Sequence, residues 1–333
     1  MRFRAFSVPL KTPLSTAAGE IRERSGFVIR VGAGVGEATP LPGWTESFAE
    51  CRDALSGVED PKTAPAALDD RPAARHGLSL ALADRDARER GESLYRHLGG
   101  DSVERVPVNA TIGDGSSEES AAAARKAIEV GFETVKCKVG ARSVEEDVER
   151  VRAIREAVGP DPAIRLDANG GWSREQAERA LDSLAAFGTE YVEQPLPAED
   201  IAGHRELREY HGVPIALDES LAGKAIGEIE AISDAADVFV LKPMALGGVD
   251  RTIELGRRLE DVVVTTTIDT VIARTAAVHA AAALDVGRAC GVATADLLAE
   301  DLAPDPSAVD NGAISVPQGP GLGVEPSWGV KRA

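Results

Sequence analysis

Apolar and polar residues alternate from Arg2 to Val8 and again from Gly26 to Val31. That two-residue period marks strands with one buried face, and the glycines at 32, 34 and 36 read them as antiparallel strands joined by turns. These glycines alternate along a strand and open no clear helix, so they do not form a phosphate-cradling loop. Then the period lengthens. Thr45 to Leu55 and Ala73 to Arg90 carry apolar residues at helical spacing, with a Pro- and Ala-rich loop from Asp60 to Pro72 between them. The pattern predicts an α+β unit over residues 1–100, closed by Gly99 and Gly100.

From Val106 onward short β-branched runs alternate with amphipathic helices. The predicted strands are Val106–Ala110, Thr134–Val139, Ala163–Asp167, Tyr191–Glu193, Pro214–Asp218, Val238–Leu241 and Val262–Thr266. Three of the helices between them open on a hydroxyl followed by a carboxylate or amide: Ser116 and Ser117 with Glu119, Ser143 with Glu146, Ser173 with Gln176. Strand–helix alternation at this repeat predicts parallel βαβ units, and seven or eight of them suit a barrel better than an open sheet. No Gly-x-Gly-x-x-Gly follows a strand, as a dinucleotide fold would require. This second unit spans residues 101–300, and the Pro- and Gly-rich tail, 301–333, is expected to fold back onto the first.

No stretch approaches the roughly 18 uncharged apolar residues of a membrane span. Met1-Arg2-Phe3-Arg4 leads straight into alternating sequence rather than a signal peptide, so a cytoplasmic protein is expected. Cys51, Cys137 and Cys290 are too few and too scattered for a disulfide framework or a zinc cluster. The 55 Asp and Glu against 37 Lys and Arg leave a net charge of −18, which argues against a nucleic-acid-binding surface. Only 8 of those 37 basic residues are lysine. An acidic, lysine-poor, alanine-rich surface suits solvation at high salt, where screening suppresses carboxylate repulsion. The expectation is a halophilic, haloarchaeal cytosol; the alternative is an acidic protein of a GC-rich genome.

Placed on the predicted strands, the charged residues fall into a pattern. Lys136 and Lys138, Asp167, Glu193, Asp218 and Lys242 each sit near the C-terminal end of a successive strand. In a (β/α)8 barrel those ends converge on one face, where active sites are built. Buried charge at strand ends is costly unless the charges offset one another. Asp167, Glu193 and Asp218 present hard oxygen donors of the kind Mg²⁺ prefers, with Mn²⁺ an alternative. The competing reading is that one of them caps the next helix, as Asp167 before Ala168-Asn169-Gly170 is placed to do. Asn169 and Glu219 are candidates to orient the ligands or a lysine. Lys136 and Lys138 share one strand face with Cys137 on the other, and crowding of two ammoniums lowers their pKa, which suits one of them as a base. Lys136 reads better as a partner to a metal-binding carboxylate, Lys138 and Lys242 as the acid/base or charge-stabilising pair. These parts suit abstraction of the proton α to a carboxylate, the substrate being a small carboxylic acid and the metal holding the resulting enediolate.

The combination Lys136-Cys137-Lys138, Leu166-Asp167-Ala168-Asn169-Gly170, Val192-Glu193-Gln194-Pro195, Leu217-Asp218-Glu219-Ser220 and Leu241-Lys242-Pro243 resembles the enolase superfamily, muconate-lactonizing subgroup, across nearly the whole chain. The resemblance implies an α/β fold: a modified (β/α)7β TIM-type barrel under an N-terminal α+β capping domain completed by the tail. It makes Asp167, Glu193 and Asp218 the Mg²⁺ ligands, Lys138 the base and Lys242 the opposing lysine. Within the subgroup the chain looks most like the o-succinylbenzoate synthases of menaquinone biosynthesis, through Gly36 to Gly43, Lys242 to Gly248, Thr265 to Thr270 and Cys290 to Leu298. That likeness implies a hydro-lyase in which Lys138 takes the α-proton of a succinyl-hydroxycyclohexadiene carboxylate and returns it to the departing hydroxyl, while Lys242 stabilises the ring by a cation–π contact. Dipeptide epimerases of the subgroup carry Asp-x-Asp near the last strand, where the favoured register puts Val292-Ala293-Thr294, with Asp296 close by. N-succinylamino acid racemase and muconate cycloisomerase remain alternatives.

Specificity is expected from two cap segments, Leu14 to Glu20, including Ser15 and Thr16, and Thr39 to Trp44; the first reads alternatively as a hairpin turn. On the barrel side Thr266, Thr267 and Asp269 follow the seventh strand, to contact substrate or, for Asp269, to cap a helix. A homo-oligomer is compatible with the sequence, and neither nucleic acid nor membrane is expected as a partner. The charge makes a first prediction: the thermal midpoint rises by about 10 °C or more between low salt and molar KCl. Calorimetric melts across a KCl series test it, and a flat series rejects the high-salt reading.

Overall fold

The computed structural model describes residues 1–16 and 19–326, the side chains of Ser15, Thr16 and Gly19 excepted. The alternating N-terminal segments pair as an antiparallel sheet of β1 (Arg2–Thr16), β2 (Gly19–Val31) and β3 (Gly34–Ala38). Phe6, Val8 and Leu10 turn to the buried face of β1. Four helices follow: α1 (Phe48–Ser56), α2 (Ala64–Ala67), α3 (Pro72–Arg90) and α4 (Leu94–His97). The single turn of α2 lies where a loop was expected, with Pro65 in its first turn, where a missing N–H does no harm. Gly34 and Gly36 let β3 press directly on α3. A Cβ at Gly36 would stand 1.9 Å from the Gly77 carbonyl oxygen, and one at Gly34 2.0 Å from that of Ala81.

The second unit begins at β4 (Arg105–Pro107) and runs through β5 (Ala110–Ile112), α5 (Ser117–Glu129), β6 (Thr134–Lys138), α6 (Val144–Val158), β7 (Ala163–Asp167), α7 (Arg174–Leu184) and β8 (Thr189–Glu193). It continues through α8 (Ile201–Tyr210), β9 (Ile215–Leu217), α9 (Ile226–Glu230), β10 (Val238–Leu241), α10 (Pro243–Leu246), α11 (Val249–Gly256), β11 (Val262–Val264) and α12 (Val271–Ala283). Ser116, Ser143 and Ser173 cap α5, α6 and α7, each paired with the predicted Glu119, Glu146 or Gln176 in a capping box.

Strands β5 to β11 form one parallel sheet in sequence order. Both of its edges meet the same two residues: Cys290 bridges to Val108 beside β5, and Gly291 bridges to Thr265 beyond β11. The sheet thus closes on itself, with Cys290–Gly291 at the eighth position. The predicted strand Val106–Ala110 is divided. Its first half, β4, pairs antiparallel with β13 (Ala313–Ser315), itself paired with β12 (Val309–Asp310), and only after Val108 does the chain enter the parallel sheet. Proline at 107 has no N–H to donate, which suits the point of change. Beyond β13, Gly321 accepts from and donates to the backbone at Leu94 and Glu92 (2.8 Å each), and the Leu322 amide reaches Asp84.

Helix α12 is buried along its whole length. Its first turn is capped from the other unit: the Glu37 carboxylate on β3 accepts from the amides of Thr270 (3.0 Å) and Ala273 (2.9 Å) and from the Thr270 and Thr39 hydroxyls (2.5 Å each). Arg24 adds to this seam, its guanidinium donating to the carbonyls of Thr39, Pro40 and Ile268. Burial, with the neighbouring Asp269 charge behind it, pushes Glu37 up to about 7 despite those donors. Among the described residues no helix is long and apolar enough to cross a membrane.

The seam yields a prediction with a definite sign. A carboxyl raised from 4.5 to about 7 on folding stabilises the fold fully below its ordinary value, and that contribution is lost as pH rises through its raised one. Glu37→Ala should cost about 2–4 kcal/mol at pH 5 by stranding buried donors, and should flatten the loss of stability between about pH 5 and 8. Urea unfolding of both forms across that range measures each effect.

Candidate active site

The strand pleat decides what meets in the barrel mouth. Successive residues of a strand alternate sides, so Lys136 and Lys138 on β6 share a face while Cys137 is buried in the outer core under the helices. The parallel register sets Lys138 beside Asp167, and Asp167 beside Glu193. Asp218 follows β9 and Lys242 follows β10. All six predicted charged residues thus converge at the C-terminal ends of the strands.

The Lys136 ammonium lies 2.9 Å from Asp167 Oδ2 and 2.6 Å from Glu193 Oε1. Lys138 Nζ is 2.7 Å from the same Asp167 oxygen and 2.8 Å from Asn169 Oδ1. Lys242 Nζ is 2.5 Å from Asp218 Oδ2. Asn169 donates to Glu219 Oε1 at 2.8 Å, so both predicted supporting residues join the cluster. Lys138 is the exposed lysine of the three, with 40% of its side chain accessible against 15% for Lys136 and 13% for Lys242.

Burial and mutual charge set the protonation. Burial would raise Asp167, but Lys136 and Lys138 beside it outweigh that and hold it below the usual carboxylate range. Glu193 rises to about 8, through burial and the Asp167 charge, with Lys136 opposing. Asp218 rises to about 6, through burial and the Glu219 charge, with Lys242 opposing. Burial alone would depress Lys136, yet Asp167 and Glu193 hold it well above its ordinary value. The expectation that crowded ammoniums depress one another therefore does not describe Lys136, whose carboxylate contacts are closer and more numerous.

Four carboxylates face three ammoniums here, and Glu193 Oε2, Asp218 Oδ1 and Glu219 Oε2 are buried without a hydrogen-bond donor. Among the described residues no three His, Cys, Asp or Glu side chains close on a common point, Asp167, Glu193 and Asp218 each being drawn to a lysine and Glu219 to Asn169. Orphaned anionic oxygens together with a shortage of positive charge are nonetheless what a hard divalent cation would satisfy. The donor set fits Mg²⁺.

The competing reading of Asp167 as a helix cap does not hold. Its Oδ1 accepts from the Asn169 amide in a local turn, while Ser173 caps α7. Asp269 caps no helix either: its carboxylate is taken by the Thr267 hydroxyl and amide, and Glu37 serves α12. Thr266 pairs with Thr294 at 3.0 Å. Among the described residues no hydrogen bond or ion pair joins Thr266, Thr267 or Asp269 to the lysine–carboxylate cluster. Asp296 is fully exposed and paired with Lys11. In the first cap segment, Ala17 and Ala18 and the side chains of Ser15 and Thr16 lie outside the described residues; the backbone of Ser15 and Thr16 pairs with Glu20 and Gly19.

Two contacts were not read from the sequence, although the residues that make them stand in segments it singled out, Gln194 in the motif after Glu193 and Trp44 at the end of the predicted cap segment Thr39 to Trp44. Gln194 Oε1 accepts from the amides of Asp218 (3.0 Å) and Ser220 (3.1 Å) while its Nε2 donates to Ser220 Oγ, tying the end of β8 to the Asp218 turn. Its φ of 43° and that of Asn169, 46°, put two left-handed residues just past Glu193 and Asp167, strain that the surrounding hydrogen bonds maintain. The second is made by Trp44, whose ring centroid lies 3.5 Å from the Lys242 ammonium. The Gln-Pro step after Glu193 hinted at the first; no spacing rule links a loop tryptophan to a lysine so far along the chain.

The comparisons with known proteins agree with this fold. The family described as enolase C-terminal domain-like matches residues 119–330. An o-succinylbenzoate synthase of Thermobifida fusca is 35% identical over 320 residues, covering 95% of this chain and 87% of that protein. A chloromuconate cycloisomerase of Cupriavidus necator is 28% identical over 345 residues, covering 96% and 93%. The solved dipeptide epimerase of Enterococcus faecalis, complexed with Mg and the dipeptide L-Leu-L-Tyr, superposes with a TM-score of 0.88 at 26% identity, covering 97% and 98%.

Proposed function

The chain belongs to the enolase superfamily, and from that membership and the geometry of its site we propose a Mg²⁺-dependent hydro-lyase that converts a succinyl-hydroxycyclohexadiene carboxylate to o-succinylbenzoate. The observation that carries this reading is the pair of lysines set on opposite sides of a carboxylate cluster. Strands β6 and β10 stand four apart in a ring of eight positions, so Lys138 and Lys242 face each other across it.

Asp167, Glu193 and Asp218 would hold the Mg²⁺; when bound, the ion neutralises the substrate carboxylate and the charge that builds there as the α-proton leaves. Lys138, the most exposed of the three lysines, takes that proton on its neutral amine. The C–O bond to the ring hydroxyl then breaks, its electron pair leaves with oxygen, and the Lys138 ammonium returns the proton, so that water departs and the ring becomes aromatic. Lys242 stays charged and offsets the developing anion from the far side. Lys136 neutralises Asp167 and Glu193, and Asn169 and Glu219 orient the Lys138 side. In this reading residues 1–100 and the tail cap a barrel of residues 101–300.

The opposed lysines also favour a second reading, racemisation of N-succinyl amino acids, in which each lysine exchanges a proton on its own side. The exposed Asp296, paired with Lys11, speaks against a dipeptide epimerase, which needs carboxylates at that end of the barrel.

Lys138→Ala should lower kcat by at least about 10⁴-fold while Mg²⁺ affinity and melting temperature stay near wild type; retained turnover would remove it as the base. Glu193→Gln should weaken Mg²⁺ binding about tenfold or more and activity with it, read by calorimetric titration. The deciding experiment follows the dehydration by ultraviolet absorbance in high salt with Mg²⁺, with N-succinyl amino acids run in parallel by polarimetry. Fast dehydration with little racemisation supports the lyase, and the reverse result supports the racemase.

A further inference from the structure

We propose that Trp44 is a positioning residue for Lys242, through which the cap sets the placement of a barrel lysine. The proposal rests on the reading of Lys242 above as the charge-bearing lysine. Its ammonium is held from two sides, by Asp218 at 2.5 Å and by the Trp44 ring at 3.5 Å from the centroid. A lysine side chain has four rotatable bonds, and one anchor leaves it free to swing about that contact. A second anchor from the opposite unit of the fold removes that freedom before substrate arrives, so orientation is settled in advance.

The indole is itself delivered by a fixed loop. On its N-terminal side Arg24 donates to the carbonyls of Thr39 (3.0 Å) and Pro40 (3.1 Å). At its centre the amides of Trp44 and Thr45 donate to the Leu41 carbonyl (3.0 Å each), and the Leu41 amide to Thr45 Oγ1 (2.8 Å). On its C-terminal side the Glu46 carboxylate accepts from the amides of Ala73 (3.0 Å) and Ala74 (2.8 Å), locking the loop to the start of α3. A tryptophan fixed on both sides, with its ring face against an ammonium, is arranged to hold a cation rather than to fill an apolar gap.

The test is a double-mutant cycle. Trp44→Leu should lower kcat/KM about tenfold, and Trp44→Phe, which keeps a ring face, should recover most of the loss. Thermal melts confirm that each variant is folded. The affinity for o-succinylbenzoate in the presence of Mg²⁺, by calorimetry, is read in four forms: wild type, Trp44→Leu, Lys242→Met and the double variant. Acting through Lys242, Trp44→Leu weakens binding in the wild-type background and adds nothing in Lys242→Met. An undiminished effect in Lys242→Met, a Phe variant no better than Leu, or a Leu variant equal to wild type would each overturn the proposal. Failure of the lyase reading looks different: wild type neither binds that product nor dehydrates its precursor. The same cycle is then read on Mg²⁺-dependent binding of an N-succinyl amino acid, which needs no turnover by Lys242, with the same outcomes deciding.

Discussion

Buried charge at the strand ends is the constraint on which the rest of this structure depends. Asp167, Glu193 and Asp218 are almost wholly removed from water and Lys136 largely so, and none would be tolerated there alone. They are tolerated because the parallel register lays one strand's charge beside the next strand's opposite charge. Even so the balance is incomplete, with four carboxylates against three lysines and three buried oxygens lacking donors. The proposed metal would supply the missing positive charge. On the proposed reading, the tension that makes the cluster unsatisfied as a piece of folding is what equips it for a metal and an anionic substrate.

The cluster is supported by its surroundings in two ways. Gln194 and Asn169, both with positive φ, tie neighbouring strand ends together, linking the turns that carry Asp167, Glu193 and Asp218. The first unit is joined to the barrel by a polar seam rather than by apolar contact alone, with Glu37 capping α12 and Arg24 gathering three carbonyls. Glu37 also accepts from Thr39, where the loop bearing Trp44 starts. The seam and the loop over the mouth are therefore mechanically one piece.

Much of this was legible along the chain. Alternation marked the first sheet, hydroxyl-plus-acid pairs marked the starts of three helices, and acids spaced by nearly the length of a βα unit marked successive strand ends. Each of these signals is local, or repeats with a fixed period, and so survives being read in one dimension. The division of Val106–Ala110 between two sheets was not legible, because what separates its halves is the tail strand β13, more than two hundred residues later. Nor was the state of Lys136: spacing shows a lysine neighbour, while the two carboxylates that dominate its charge arrive from β7 and β8.

The barrel class, the face on which the charged residues meet and the hard oxygen donors gathered there can be read along the chain, because strand period and residue chemistry suffice for these. The partners come only with folding: Asp296 turns out to solvent with Lys11, Asp269 serves Thr267, Glu37 caps a helix of the other unit and Trp44 lies over Lys242. These are contacts between segments brought together by closure of the barrel and docking of the first unit on it. The reason is physical: a side chain's partner depends on distances in three dimensions, and no periodicity along the chain encodes them.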